Sequence, residues 1–181
     1  MYVEICDRSY FDKLGIDYGS IKNLTAQVVA DFKLNLEQER AFRIVAHHSV
    51  GCTLNPLLLY IGGMGGTGKS QVIKALLSFF QLQDNSYAIV TCAPTGNASA
   101  LLGGSMERGT YAPLHTYHFL LGINNQEEEI KNVKMAQVCE RLKDINYVVL
   151  DEVSMLSCYD LYRISEQLCK AKNKPEDSFG G

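Results

Sequence analysis

Apolar and polar positions alternate along this chain in two different rhythms. Asn35-Leu36-Glu37-Gln38-Glu39-Arg40-Ala41-Phe42-Arg43-Ile44-Val45 sets Gln38, Ala41, Phe42 and Val45 at i, i+3, i+4 and i+7, which predicts an amphipathic helix. Asn35 is placed to cap it, and Gln38 follows three residues later, as in a capping box. Leu57-Leu58-Leu59-Tyr60-Ile61 is a short apolar run ending in glycines and predicts a buried strand of the kind found in parallel sheets. From Ser70 to Gln81 the pattern is helical, with Val72, Ile73, Leu76, Leu77 and Phe80 on one face. Tyr87-Ala88-Ile89-Val90-Thr91-Cys92 predicts a second strand, stopped by Pro94. Residues 103–115 are rich in Gly, Pro and polar groups and read as a loop. Met135, Val138, Leu142 and Ile145 share a helical face, and Tyr147-Val148-Val149-Leu150 predicts a third strand ending in Asp151-Glu152. Residues 1–34 form a lead-in of modest periodicity, and the polar tail after Lys170 is expected to fray.

Unbroken apolar strands separated by helices predict an α/β fold, with a parallel sheet covered by helices on both faces. Ligands in such sheets bind at the carboxyl ends of the strands. Hydrophobic residues make up 46% of the 181 and charged residues 20%, a globular profile with no run apolar enough to span a membrane and no secretory signal at the N-terminus. The six cysteines are scattered without a C-x-x-C pair, which argues against zinc and disulfides and for a reducing compartment. Cys92, inside an apolar run, reads as a small core residue. A net charge of −3 gives no electrostatic sign of nucleic-acid binding, so any such function must come from motifs.

Gly63-Met64-Gly65-Gly66-Thr67-Gly68-Lys69-Ser70 matches G-x-x-x-x-G-K-[ST] in full. The glycines let the backbone wrap closely, so that N–H groups point at phosphate oxygens, and the helix that follows adds its positive end. Lys69 is the cation for the β- and γ-phosphates, and Ser70 offers its hydroxyl to magnesium. Asp151, at the end of a buried strand, can hold the magnesium through water, and Glu152 can orient and deprotonate an attacking water. This second acid favours ATP hydrolysis over simple phosphate binding. A pair of acids that only solvates a strand end is the plainer alternative, which the preceding P-loop weakens.

Other residues have two readings. Gln38 can present a donor and an acceptor to an adenine edge or can serve only the capping box. Ala93-Pro94-Thr95-Gly96 can contact a nucleic-acid phosphate or can be a turn chosen for its geometry. His118, in Thr116-Tyr117-His118-Phe119-Leu120, can stack on bases or can be an ordinary half-buried histidine. None of the four histidines has the spacing of a zinc ligand.

Taken in order, residues 34–42, the P-loop, residues 93–100, Thr116-Tyr117-His118 and Leu150-Asp151-Glu152-Val153-Ser154-Met155 resemble the petite-integration-frequency family of DNA helicases, most of all its Helitron transposon branch. The resemblance covers residues 26 to 181. It implies an ATP- and magnesium-dependent 5′-to-3′ helicase built on RecA-like motor domains, with residues 35–181 as part of the first. It implies that Gln38 reads adenine and that Pro94, Thr95, Gly96 and His118 contact single-stranded DNA. It also implies an intracellular protein, nuclear or mitochondrial, although no basic import run is present.

Two departures from the family pattern matter. Residues 106–115 look like an insertion; an unspliced stretch, a degenerate copy or a tolerated surface loop could each explain it. The chain stops at Phe179-Gly180-Gly181, where the family opens a further strand and later a second motor domain with an arginine finger. That finger is worth about 10³ to 10⁵ in rate in P-loop enzymes. The stretch is therefore expected to bind nucleotide, to turn it over slowly or not at all, and not to unwind DNA. The missing strand would lie between the Asp-Glu strand and the P-loop strand, so these two are expected either to close up or to leave an apolar slot. Two other classes stand beside the helicase reading. One is a nucleotide-binding module without catalysis, and the other is a P-loop ATPase unrelated to DNA.

Overall fold

The computed structural model describes residues 18–51, 55–95, 114–123 and 131–181. They fall into two compact units, residues 1–82 and 83–181, each taken by itself below.

Among its described residues the first unit holds three helices: α1 (Tyr18–Asp31), α2 (Leu36–Val50) and α3 (Lys69–Leu82). α1 lies within the lead-in, where the sequence shows only modest periodicity. Asn35 caps α2 in the expected capping box: its side chain accepts from the Glu37 and Gln38 N–H groups, while the Gln38 side chain accepts from the Asn35 N–H. α3 is apolar nearly all round and accordingly buries Val72, Ile73, Ala75, Leu76, Leu77, Phe79 and Phe80. Phe79 meets Phe42 of α2 edge to face, with ring centroids 5.6 Å apart, so aromatic packing joins the helix that follows the phosphate loop to the capped helix before it.

The segment 57–61 corrects the sequence reading. It is not a strand and joins no sheet among the described residues. Burial alternates along it as on an extended chain, with Leu58 and Tyr60 exposed and Leu57, Leu59 and Ile61 half-buried. Apolar content makes a segment fit for a sheet, but a ladder needs a partner for its N–H and C=O groups.

The second unit is a three-stranded parallel sheet in the order β2-β1-β3, with β1 at Ile89–Ala93, β2 at Leu114–Thr116 and β3 at Tyr147–Leu150. β1 is buried along its whole length, as a central parallel strand should be. It starts two residues later than the pattern suggested, because residues 86–88 form a 3₁₀ turn, and it ends before Pro94 as expected. β2 places a strand at 114–116 where a loop was expected; the rest of the supposed insertion, 106–113, lies outside the described residues. The described residues of the unit also form helices α4 (Tyr117–Leu121), α5 (Lys131–Leu142) and α6 (Cys158–Lys172). Val90 and Cys92 share one face of β1 and pack with Tyr117, Leu120, Leu121, Val138, Leu142, Ile164 and Leu168 in a single core. Lys172 donates to the Leu142 and Ile145 carbonyls at 2.6 and 2.7 Å, fastening the end of α6 to the open end of α5.

The tail does not fray. Asn173 ends α6 in the left-handed region, and residues 178–180 fold back on the helix. The Phe179 N–H donates to Ser165 Oγ at 3.0 Å, and its ring packs against the core.

Two outcomes follow from this packing. Burial pushes the Cys92 thiol up to about 12, so at pH 8 only about one in ten thousand is thiolate. Exposed Cys158 should react with a thiol reagent in the native protein and Cys92 only after denaturant is added, as mass spectrometry of the labelled peptides would show. Phe79→Ala removes a fully buried ring and should cost about 3–5 kcal/mol in denaturant unfolding.

Candidate functional site

The first unit presents the phosphate loop. Residues 62–68 are loop, and α3 begins at Lys69, so the unpaired N–H groups of a helix start lie directly after the glycines. Gly66 and Gly68 have φ of +79° and +84°, in the left-handed region where glycine is at ease. A Cβ at Gly65 or Gly66 would meet nothing within 4 Å, whereas one at Gly68 would strike the Gln38 amide. The loop is therefore open over Gly65 and Gly66 and closely backed at Gly68. The Thr67 hydroxyl donates to the Met64 carbonyl at 2.8 Å and holds the arch. Lys69 reaches back over it, donating to the Gly63 and Met64 carbonyls at 2.7 and 3.0 Å. An ammonium above an open, glycine-lined arch at a helix start suits a chain of phosphates. Ser70, exposed in the first turn of α3, has the hydroxyl that a bound magnesium would take.

Gln38 stands at this loop. Its Nε2 donates to the Thr67 carbonyl at 3.1 Å and to the Gly68 carbonyl at 3.4 Å. Its capping-box bond is kept at the same time, so this side chain has a structural role at both ends. Gln71, which the sequence reading did not single out, donates to the Phe32 carbonyl at 3.0 Å and ties the first turn of α3 to the α1–α2 connector. Nothing in its spacing marked it, because an amide on an amphipathic helix has no pattern of its own.

The second unit brings the remaining predicted residues to one sheet edge. Cys92 pairs with Leu150, and Ala93 with Thr116, so Pro94-Thr95, Asp151-Glu152 and Tyr117-His118 all follow the carboxyl ends of adjacent parallel strands. The Asp151 N–H donates to the Cys92 carbonyl at 2.8 Å and carries the ladder one residue past β3. Glu152 then turns sharply, with φ 52° and ψ 38°, and its N–H donates to Asp151 Oδ1 at 2.9 Å. Left-handed backbone at a non-glycine residue costs about 1–2 kcal/mol. It leaves Glu152 exposed and Asp151 half-buried at the strand end. Gly96 lies outside the described residues.

His118 is half-buried, its ring stacked on Tyr117 with centroids 3.9 Å apart. Burial and the neighbouring Asp160 carboxylate, to which the Tyr117 hydroxyl donates, raise the Tyr117 pKa. Asp160 is held below the usual carboxylate range by its hydrogen bonds with Ser157 in the α6 capping box, and the charges of His118 and Arg163 act in the same direction. Phe119 is exposed beneath the Arg141 guanidinium, which lies 4.6 Å from the ring centroid and donates to the Phe119 carbonyl. Arg141 gave no sequence signal, since it lies 22 residues from its partner.

Gly68→Ala adds a left-handed Cβ that also meets the Gln38 amide. The strain of about 1–2 kcal/mol should raise the nucleotide Kd by about tenfold or more, read by titration of a fluorescent nucleotide, while Gly65→Ala should change it less.

Comparison with known proteins supplies the family. The family profile described as "AAA domain" matches residues 47–174, well over half of the chain. Three curated proteins of Trypanosoma brucei brucei are similar to it. ATP-dependent DNA helicase PIF1 is 28% identical over 82% of this chain, ATP-dependent DNA helicase PIF3 is 29% identical over 73%, and ATP-dependent DNA helicase PIF4 is 28% identical over 82%. The matched region spans only 13, 14 and 17% of those proteins. No solved structure matches, and no described helix is long and apolar enough to cross a membrane. The profile match, the parallel α/β sheet and the phosphate loop agree: the chain belongs to the AAA domain family of P-loop NTPases.

Proposed function

We propose that this chain is the nucleotide-binding part of an ATP-dependent DNA helicase motor. The observation that carries the reading is the open glycine arch with Lys69 above it at the start of α3. ATP brings the phosphate chain and magnesium brings the charge that offsets it. The chain's own residues divide the remaining work. In the first unit the Gly65 to Ser70 backbone and Lys69 would hold phosphates and Ser70 would offer its hydroxyl to the metal; in the second unit Asp151 is the residue that would hold a metal through water. Glu152 takes the proton of the attacking water. An exposed carboxylate carried just past the end of a strand suits that task, because a base must come within hydrogen-bond reach of the proton it removes.

The similarity to DNA helicases supports single-stranded DNA as the second ligand, with Pro94, Thr95, Gly96 and His118 contacting it and 5′-to-3′ movement. The shared sheet edge supports placing Pro94, Thr95, His118 and the acid pair in one working face of the second unit. This stretch on its own should bind nucleotide, hydrolyse it slowly and not unwind a duplex. A second reading, binding without turnover, is favoured by one observation: the segment 57–61 leading into the loop pairs with no strand among the described residues.

The test is a titration of a fluorescent ATP analogue with magnesium, followed by phosphate release with and without single-stranded DNA. The wild type should bind saturably, and Lys69→Ala should lose that binding. Glu152→Gln should bind as the wild type does and lose about 10²- to 10⁴-fold in hydrolysis. Equal hydrolysis in wild type and Glu152→Gln would remove the enzyme reading and leave the binding module. Equal affinity in wild type and Lys69→Ala would remove both.

A further inference from the structure

Gln38 uses both ends of its amide. Oε1 accepts from the Asn35 N–H at 3.0 Å and so closes the α2 capping box. Nε2 donates to the Thr67 carbonyl at 3.1 Å and, at the longer distance of 3.4 Å, to the Gly68 carbonyl. An amide nitrogen has two hydrogens, and here each has a loop carbonyl in reach. Reading an adenine edge would need one of them, so a base contact from Gln38 requires it to release the loop.

The carbonyls it holds matter for the peptides they belong to. A trans peptide is planar, with its C=O and N–H on opposite sides, and the described residues contain no cis bond. Drawing the Thr67 and Gly68 carbonyls toward Gln38 therefore turns the Gly68 and Lys69 N–H groups the opposite way. These are two of the N–H groups that a loop at a helix start offers to phosphate. The anchor behind Gln38 is firm: Asn35 Oδ1 accepts from both the Glu37 and Gln38 N–H groups at 3.1 and 2.9 Å. Space agrees with the bonds, since the position of an added Cβ at Gly68 is already taken by the Gln38 amide.

We infer that Gln38 is a positioning residue for the phosphate loop, orienting the Gly68 and Lys69 N–H groups through the carbonyls of the same peptides, whatever base the nucleotide carries. The inference rests on the nucleotide-binding reading above. It differs from base reading in what it predicts for a ligand that has no base.

The test is calorimetric titration of the 181-residue chain with magnesium and three ligands: ATP, GTP and inorganic tripolyphosphate. Wild type is compared with Gln38→Met, which is close in length and uncharged and lacks the donor. The expected result is that all three ligands weaken by the same factor, about five- to tenfold, the worth of about one lost hydrogen bond. The ratio of ATP to GTP affinity should stay as in wild type, and a wild-type denaturant midpoint in the variant separates this result from general loosening of the fold, which weakens all ligands alike. A loss confined to ATP, with tripolyphosphate unchanged, would overturn the inference and make Gln38 a base reader. Unchanged affinity for all three would overturn it too. If Gln38→Met does not fold by circular dichroism, Gln38→Asn, which stays polar but falls one methylene short of the loop, is read by the same outcomes. A wild type that binds none of the ligands overturns the nucleotide reading together with this one, and that result is seen before any variant is made.

Discussion

The parallel pairing of β1 with both of its neighbours is the constraint on which the chemistry of the second unit depends. Parallel strands in register end at the same edge, so three separate stretches of sequence deliver their next residues to one place. Pro94 and Thr95 follow β1, His118 is the second residue of the helix that follows β2, and Asp151 and Glu152 follow β3. The core keeps the register, because a slip by one residue would exchange the two faces of β1 and turn Val90 and Cys92 away from the apolar cluster they share with α4, α5 and α6.

The first unit works by a different economy. Its loop is held from behind by amide side chains and a hydroxyl rather than by a sheet. Gln38, Gln71 and Thr67 each bond a backbone carbonyl near the start of α3, and each bond takes a carbonyl away from solvent without occupying the open side of the arch. The Phe42–Phe79 contact holds the two helices that carry these groups, so the aromatic core and the polar fastenings support the same geometry.

Much of this was legible in the sequence where one local pattern sufficed. The capping box at Asn35, the helix after the glycines, β3 and the end of β1 at Pro94 were read correctly, because each rests on neighbours a few residues apart. The segment 57–61 was misread because periodicity reports fitness for burial and not the presence of a ladder partner. The strand at 114–116 was hidden by its glycine- and proline-rich surroundings and by its length of three residues. The tail was misjudged because its polar composition conceals two specific anchors, the Phe179 ring and the Ser165 hydroxyl. For Gln38 two readings were weighed as exclusive. The capping bond exists, yet the same side chain also reaches the loop 29 residues away, a contact that no spacing rule describes.

Glu152 carries a cost that its neighbours do not. Its backbone sits where glycine or asparagine would be comfortable, and its exposed carboxylate contributes no core packing. Selection for thermal robustness alone would tend to replace it, since a residue without the left-handed penalty relieves strain at that corner. Persistence of an acid there in related chains would thus record a demand other than folding. Drift toward glycine or asparagine would be the signature of a lineage released from that demand. The corner after β3 can be read in this way as a gauge of whether a given copy is still under selection to work.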